Sequence, residues 1–186
     1  MGMGIGQDDF RVRGGTAADR AYLDASLRYL SQSPVGAAIM QKTADQGTEI
    51  RIVHDGRDQY DPQTNTIYWD PHAAHAVQDQ HGKPAALQSS AMGLLHEGAH
   101  ALDPDIKEGL ATRNKQFGND AEAHAIGAEN AVAADLGEPQ RYSHFGVAHR
   151  ADDPTAHTPV NAPAAGDPSS DLDALITYLL RMFLKC

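Results

Sequence analysis

The stretch LLHEGAHAL, residues 94–102, decides how this chain is interpreted. Apolar residues recur around it at helical spacing, which predicts a helix from Ala85 to about Leu102, ended by the following Asp-Pro pair. His96 and His100 are four residues apart, so they share one face of this helix. Their imidazoles can therefore reach one tetrahedral Zn²⁺ ion, whose bonds to histidine are about 2.0–2.1 Å long.

Glu97 directly follows the first of these histidines and completes an HExxH motif. This spacing places its carboxylate beside the metal rather than on it. There it can take a proton from a zinc-bound water and return it to a leaving amine. The competing interpretation is an ordinary helix with two surface histidines and a glutamate.

A catalytic zinc site needs a third protein ligand. The extended motif HExxHxxGxxH is excluded, because Asp103 and Ile106 stand where it requires Gly and His. The alternative source is a predicted helix over 119–136, capped by Asn119 or Asp120 and followed by Gly137.

Two carboxylates of that predicted helix compete for the role of third ligand. Glu122 lies 22 residues after His100, and Glu129 lies seven residues later on the same face. Glu122 fits the ligand spacing best, whereas Glu129 can instead orient one of the ligand histidines. Asp120 is read as a cap, and His124 is expected to face solvent.

The residues after the second helix offer further candidates. Arg141 and Tyr142 follow it and could donate hydrogen bonds to the oxyanion of a tetrahedral intermediate. Equally, both could be ordinary surface residues at a helix exit. His144 is left out of the predicted ligand set, because a fourth protein ligand would close a catalytic site.

These segments together resemble the NleD-like effector metallopeptidases of bacterial pathogens. The similarity lies in HExxH, in the pattern E-x-x-A-I-G-x-E-N at 122–130 and in G-x-P-x-R at 137–141, and it covers about 48–146. Gly98 and Ala128 depart from the bulkier residues expected of that family. The resemblance implies type III secretion by a bacterium, and cleavage of a host protein in the host cytosol during virulence.

The first half of the chain predicts helices over 16–32 and 35–46, separated by a Ser-Pro break. Alternating and β-branched residues between 48 and 69 predict a small antiparallel sheet. Its last strand, 66–69, could be an edge that pairs with an extended substrate, or it could be packed in the core. Residues 72–84 and 104–117 are expected to be loops.

Composition restricts the class of partner. The 186 residues carry a formal net charge of −10, so nucleic acid and anionic membranes are not expected partners. Cys186 is the only cysteine, which excludes an internal disulfide and a cysteine-based metal site. No run of 18 apolar residues occurs, and the first residues show no Sec signal.

The domain organisation predicted from these patterns has four parts. A glycine-rich start over 1–15 is expected to be flexible, and the metallopeptidase domain spans 16–147. Residues 148–170 are proline-rich and predict a disordered linker. Residues 171–186 predict an amphipathic helix that docks on this domain or on another partner.

The sequence thus predicts an α+β, zincin-like domain in which a small antiparallel sheet packs on the HExxH helix and a second helix carries the remaining ligand. We expect one Zn²⁺ per chain, held by His96, His100 and Glu122, with Glu97 as the catalytic base. The expected reaction is endopeptidase cleavage of a protein by zinc-activated water. Two alternatives stay open: a zinc hydrolase of a non-peptide amide or ester, and a non-enzymatic interaction module with a structural or lost zinc site.

Overall fold

The computed structural model describes residues 5–160, which form a mixed α+β fold, as the sequence predicts. The helices are α1 (Ala17–Leu30), α2 (Pro34–Asp45), α3 (Ser90–Ala101), α4 (Ile106–Ala111) and α5 (Asp120–Leu136). The strands are β1 (Arg11–Gly14), β2 (Glu49–Ile52), β3 (Gln59–Asp61), β4 (Thr66–Trp69), β5 (Ala73–Gln78), β6 (Pro84–Gln88), β7 (Arg113–Asn114), β8 (Gly118–Asn119) and β9 (Gly146–Arg150). None of the helices in this described part is long and apolar enough to cross a membrane.

The first two helices begin at residues suited to that position. Thr16 caps α1 by accepting a hydrogen bond from the backbone of Asp19, whose carboxylate in turn accepts from the Thr16 backbone. Ser33 caps α2, and Pro34 occupies its first turn. The Ser-Pro pair that breaks the helical pattern in the sequence is therefore the start signal of the next helix.

The main sheet has the strand order β1-β2-β4-β3 and is mixed. Only β3 and β4 pair antiparallel, whereas β2 runs parallel to both β1 and β4. The predicted antiparallel sheet is thus wrong for β2. The helices α1 and α2 connect β1 to β2 as a crossover, and β3 takes the outer position. As a result β4 lies inside the sheet with Trp69 fully buried, and β3 is the edge strand beside it, while β1 forms the opposite edge.

A second, antiparallel sheet has the order β6-β5-β9 and includes residues 73–78, which the sequence predicted to be a loop. The sequence gives little sign of this strand, because its buried positions include the small residues Ala73 and Ala74, which are poor strand formers. Residues 146–150 pair with it, so the predicted linker begins with a strand. The predicted loop 104–117 likewise contains α4 and β7.

Helix α3 lies at the centre of the described fold and contacts α1, α2, α5, β3, β4 and β5. It begins at Ser90 rather than at 85, because residues 84–88 pair with β5 as strand β6. The indole N–H of Trp69 donates to the Ser90 carbonyl at 2.9 Å, which joins the sheet to the start of the helix. Both sides of α3 are thus covered, and its polar residues are held in fixed surroundings.

Both ends of the described chain are ordered against this body, contrary to the sequence prediction. Residues 7–9 form a 3-10 turn, and β1 pairs with β2, so much of the predicted flexible start belongs to the fold. Beyond β9, the Ala91 N–H donates to the Pro154 carbonyl at 2.9 Å and the Thr158 N–H donates to the Leu87 carbonyl at 2.8 Å. These contacts anchor the proline-rich stretch as far as 160. The remainder of the predicted linker and the helix predicted over 171–186 lie outside the described residues.

Candidate metal centre

Helices α3 and α5 pack against each other and bring the sequence-predicted residues together. Asn119 caps α5 by accepting a hydrogen bond from the Glu122 backbone N–H at 2.9 Å. Gly137 ends the helix in a left-handed conformation with φ of +71°, which glycine adopts without steric cost. Helix α5 therefore begins after the predicted cap Asn119 and ends at the predicted terminator Gly137.

Three side-chain atoms converge between these helices. The Nε2 atoms of His96 and His100 are 3.1 Å apart. One carboxylate oxygen of Glu122, Oε2, lies 3.1 Å from the first nitrogen and 3.3 Å from the second. Both histidines are buried, so this grouping is fixed by packing rather than by chance contact at the surface.

The separations of these three atoms suit a tetrahedral metal ion. Ligand atoms at about 2.0–2.1 Å from a tetrahedral zinc lie roughly 3.3–3.4 Å from one another. The observed 3.1–3.3 Å is close to that spacing. Two imidazole nitrogens with one carboxylate oxygen also form a common donor set of catalytic zinc sites. The residues present therefore fit a metal ion of this kind.

The two candidate carboxylates lie on opposite sides of the His96 ring. Glu122 meets Nε2, whereas Glu129 Oε2 lies 2.7 Å from Nδ1. Arg141 supports Glu129, since its Nη1 donates to the same oxygen at 3.4 Å. The second guanidinium nitrogen of Arg141 donates to the His144 carbonyl at 2.7 Å. This arginine thus links the buried carboxylate to the chain segment beyond α5.

The charges in this cluster favour a positive centre. Burial disfavours the charged form of His96, but its hydrogen bonds with Glu122 and Glu129 outweigh that cost and raise the pKa of His96 to about 10. For Glu122, burial is likewise outweighed by the hydrogen bonds from both histidines, so the pKa of its carboxyl is lowered. In the metal-free protein a proton on His96 therefore supplies the charge that a cation would supply.

Glu97 lies beside this group and faces the same cleft. Its Oε2 accepts a hydrogen bond from the backbone N–H of Tyr60, in the edge strand β3, at 2.6 Å. Burial raises the pKa of the Glu97 carboxyl, against the opposing effect of the neighbouring histidines. The carboxylate is thus held next to the two imidazoles and has a raised affinity for a proton.

His144 joins the cluster, although the sequence interpretation left it out. Its Nε2 is 3.1 Å from the Glu122 oxygen, and its ring stacks on that of His96 at 6.0 Å between centroids. Half of its side chain is exposed, unlike those of the other two histidines. Tyr142, in contrast, is 44% exposed and is absent from the described residues that line the cleft.

Sequence reasoning also missed Asp58 and His75, which lie close to Glu97. Asp58 Oδ2 and His75 Nε2 are 2.9 Å apart, and both side chains are largely buried. Burial raises the pKa of the Asp58 carboxyl despite this partner. The sequence does place His75 between two further histidines, His72 and His81, but no pattern singles out Asp58. His124 also differs from expectation, because its side chain is only 14% exposed and its Nδ1 lies 3.2 Å from Asp103.

The group opens into a cleft of about 340 Å³. Its lining includes the segment around the edge strand β3 and two apolar residues of α4, Ile106 and Leu110. Leu110 is 46% exposed, although it is apolar. The cleft therefore combines the polar cluster with an edge strand and with apolar side chains of α4.

Comparisons with known proteins leave the chain without a family assignment. Family models, curated proteins and solved structures were each compared with it, and none matches.

Proposed function

We propose that this protein is a zinc-dependent endopeptidase with a zincin-like fold. The observation that carries the proposal is the convergence of His96 Nε2, His100 Nε2 and Glu122 Oε2 at mutual distances of 3.1–3.3 Å, with Glu97 beside them. These three residues would hold one Zn²⁺ per chain. A bound zinc ion would supply Lewis acidity, which polarises an amide carbonyl and acidifies water.

Glu97 is the proposed general base and acid. Its carboxylate accepts a proton from the attacking water and delivers it to the nitrogen of the leaving amine. The Tyr60 hydrogen bond holds one carboxylate oxygen, so the other is left to exchange the proton. Its raised pKa favours this role, because a base with a higher proton affinity abstracts a proton more readily.

Glu129 and Arg141 are proposed to position the site rather than to touch the substrate. Glu129 accepts the Nδ1 proton of His96, which leaves the Nε2 lone pair for a metal. Arg141 donates to Glu129 and to the His144 carbonyl, so its role differs from that of an oxyanion donor. Arg141 thereby couples the orientation of the ligand to the backbone that carries His144.

His144 is the proposed hydrogen-bond donor to the substrate carbonyl, the role for which the sequence offered Tyr142 and Arg141. It lines the cleft, is half exposed, and lies beside the ligand carboxylate. A His144→Gln variant would keep zinc but lose turnover under this proposal. If His144 were instead a fourth ligand, the same variant would lose zinc affinity. The turnover of a Tyr142→Phe variant shows whether Tyr142 contributes as an oxyanion donor.

The edge strand supports a peptide as the substrate class. In an antiparallel strand the N–H and C=O of one residue point to the same side. The Tyr60 N–H points away from β4, since it donates to Glu97, so its carbonyl also faces the cleft. An extended peptide could pair with that carbonyl while its side chains pack on Ile106 and Leu110. A small ester or amide would leave most of this surface unused.

The experiment compares zinc-loaded wild type with Glu97→Gln on a pool of unstructured peptides, with new termini identified by mass spectrometry. We expect cleavage by wild type and a loss of about 10²–10⁴-fold in Glu97→Gln, with zinc content unchanged by inductively coupled plasma mass spectrometry. Equal cleavage by both proteins would overturn the role of Glu97. Activity confined to a parallel panel of small esters and amides would favour the hydrolase alternative.

The proposed setting is the cytosol of a host cell after type III secretion by a bacterium, with a host protein as substrate. This part follows from the resemblance of residues 48–146 to the effector metallopeptidases described above. Expression of wild type and Glu97→Gln in host cells, followed by proteome-wide analysis of new termini, tests it. A host-cell effect that persists in Glu97→Gln would instead support the interaction-module alternative.

A further inference from the structure

A second group of metal-ligating side chains lies outside the peptidase cluster. Asp19 is in the first turn of α1, His54 follows β2, and His72 lies between β4 and β5. The Nε2 atoms of His54 and His72 lie 3.3 Å and 3.6 Å from the two carboxylate oxygens of Asp19. The proposed peptidase mechanism uses none of these residues, so their grouping calls for a separate explanation.

The orientation of His72 is fixed by its backbone neighbours. Its Nδ1 lies 2.9 Å from the Ala151 carbonyl oxygen, which can only accept a hydrogen bond. Nδ1 therefore carries the proton, and Nε2 of the neutral ring presents a lone pair to Asp19. The edge of the Tyr22 ring packs against the imidazole at 5.2 Å between centroids. A carbonyl that fixes the second ring nitrogen is the usual arrangement of a metal-binding histidine.

Asp19 offers an unsatisfied oxygen at this place. The residue is only 3% exposed, and its Oδ2 accepts hydrogen bonds from the backbone and hydroxyl of Thr16. Its Oδ1 makes no hydrogen bond within the described residues, since the His72 nitrogen is 3.6 Å away. This carboxylate oxygen and an imidazole lone pair thus face each other at 3.6 Å. Two acceptors in this arrangement repel each other unless a proton or a cation lies between them.

We propose that Asp19, His54 and His72 form a second site for a divalent transition-metal ion, with zinc as its occupant. Two imidazole nitrogens with one carboxylate oxygen suit zinc, whereas calcium and magnesium prefer oxygen ligands alone. His54 is about half exposed, so water can complete the coordination. The site shares no residue with the peptidase cluster.

The second site connects distant parts of the chain. Its ligands come from the first helix, from the end of β2 and from the turn before β5. Because His72 also bonds to Ala151 through its ring and its backbone carbonyl, the ion would brace the segment beyond β9 as well. An ion that binds these separated ligands binds the folded chain only, so it stabilises the fold.

The test is a calorimetric titration of the metal-free full-length protein with zinc. The titration is repeated with Co²⁺, and the absorption spectrum of the bound cobalt is recorded. We expect two equivalents of zinc in wild type and one in His54→Ala. His81→Ala removes an exposed histidine outside both groups and should keep two equivalents. His96→Ala should keep the equivalent that His54→Ala loses, which separates this proposal from the proposed peptidase function.

Asp19→Asn is the second variant, because asparagine keeps an oxygen that can accept from Thr16 while it removes the charge. We expect it to lose the same equivalent as His54→Ala, and circular dichroism shows whether each variant is folded. One equivalent in wild type with no change in His54→Ala would overturn the proposal. So would an equal loss of the second equivalent in His81→Ala, since that would indicate adventitious binding to surface histidines.

Discussion

Separate substitution of the two glutamates that flank His96 gives the sharpest test of the proposed metal centre. Glu129→Gln and Glu122→Gln make the same chemical change, seven residues apart on one face of α5. Glu122 meets the Nε2 side of the imidazole and Glu129 meets the Nδ1 side. The two variants should therefore weaken zinc binding to very different extents.

The magnitudes follow from the contacts of each residue. Loss of a carboxylate that orients a ligand histidine costs roughly 10–100-fold in metal affinity, or about 1.4–2.7 kcal/mol. Zinc binding in protein sites releases about 10–16 kcal/mol, so removal of one of three protein ligands costs about a third of it. Glu122→Gln should thus lose about 3–5 kcal/mol, or roughly 10²–10⁴-fold.

The assay is competition for zinc with a chromophoric chelator at pH 7.5, on variants first shown to be folded by circular dichroism. Glu129→Gln should still bind one equivalent at this centre, with an affinity between those of wild type and Glu122→Gln. The reverse order, with Glu129→Gln the weaker binder, would refute the assignment of Glu122 as ligand. Equal affinity in all three proteins would refute the whole centre.

Three further predictions concern packing and protonation. Gly36→Ala should destabilise the fold by about 1–3 kcal/mol in chemical denaturation, because the added Cβ would meet the Leu30 carbonyl. Gly127→Ala should stabilise the fold by about 0.5–1 kcal/mol, since no atom lies within 4 Å of a Cβ added there and alanine favours the helix. Trp69→Phe should cost about 1–3 kcal/mol in the same assay, because it removes the indole hydrogen bond to the Ser90 carbonyl and leaves a cavity where the larger ring was buried. The pKa of His96 is raised to about 10 in the folded metal-free protein, above its ordinary 6.5, so the protonated imidazole stabilises the fold. This contribution is complete below about pH 6.5 and is lost as the pH rises towards 10. The thermal midpoint of the metal-free protein should fall over that range, and a folded His96→Gln variant should lack this part of the fall.

Local signals predicted α1, α2 and α5 well, whereas α4 was predicted to be a loop and α3 begins five residues later than predicted. Thr16 and Asn119 are the caps of α1 and α5, and Gly137 follows α5, because caps and left-handed glycines act through hydrogen bonds within a few residues. The spacing within HExxH likewise places His96 and His100 on one face of a single helix, and the structure keeps them 3.1 Å apart at Nε2. These features depend on near neighbours in the chain.

Strands were predicted less well, because their identity depends on distant partners. The pattern of β2 and β4 indicates strands, but not that they pair in parallel with β3 on the outside. Strand β5 was missed because three of its six residues are alanines, which are depleted in strands, and the polar His75 and Gln78 interrupt its apolar pattern. Its partner β9 begins at Gly146, almost 70 residues after β5 ends, so no local pattern indicates the pairing.

The amino-acid sequence by itself determined the HExxH helix, the second helix with two candidate glutamates, and an acidic chain without internal disulfides. Only the tertiary structure decided which glutamate meets the Nε2 atoms, because residues seven apart share a helix face and differ only in the ring atom they reach across the helix interface. It also brought His144 to the cleft and joined Asp19, His54 and His72 into a second group. Such groupings arise from packing between segments that are far apart in the chain, which spacing along a sequence does not encode.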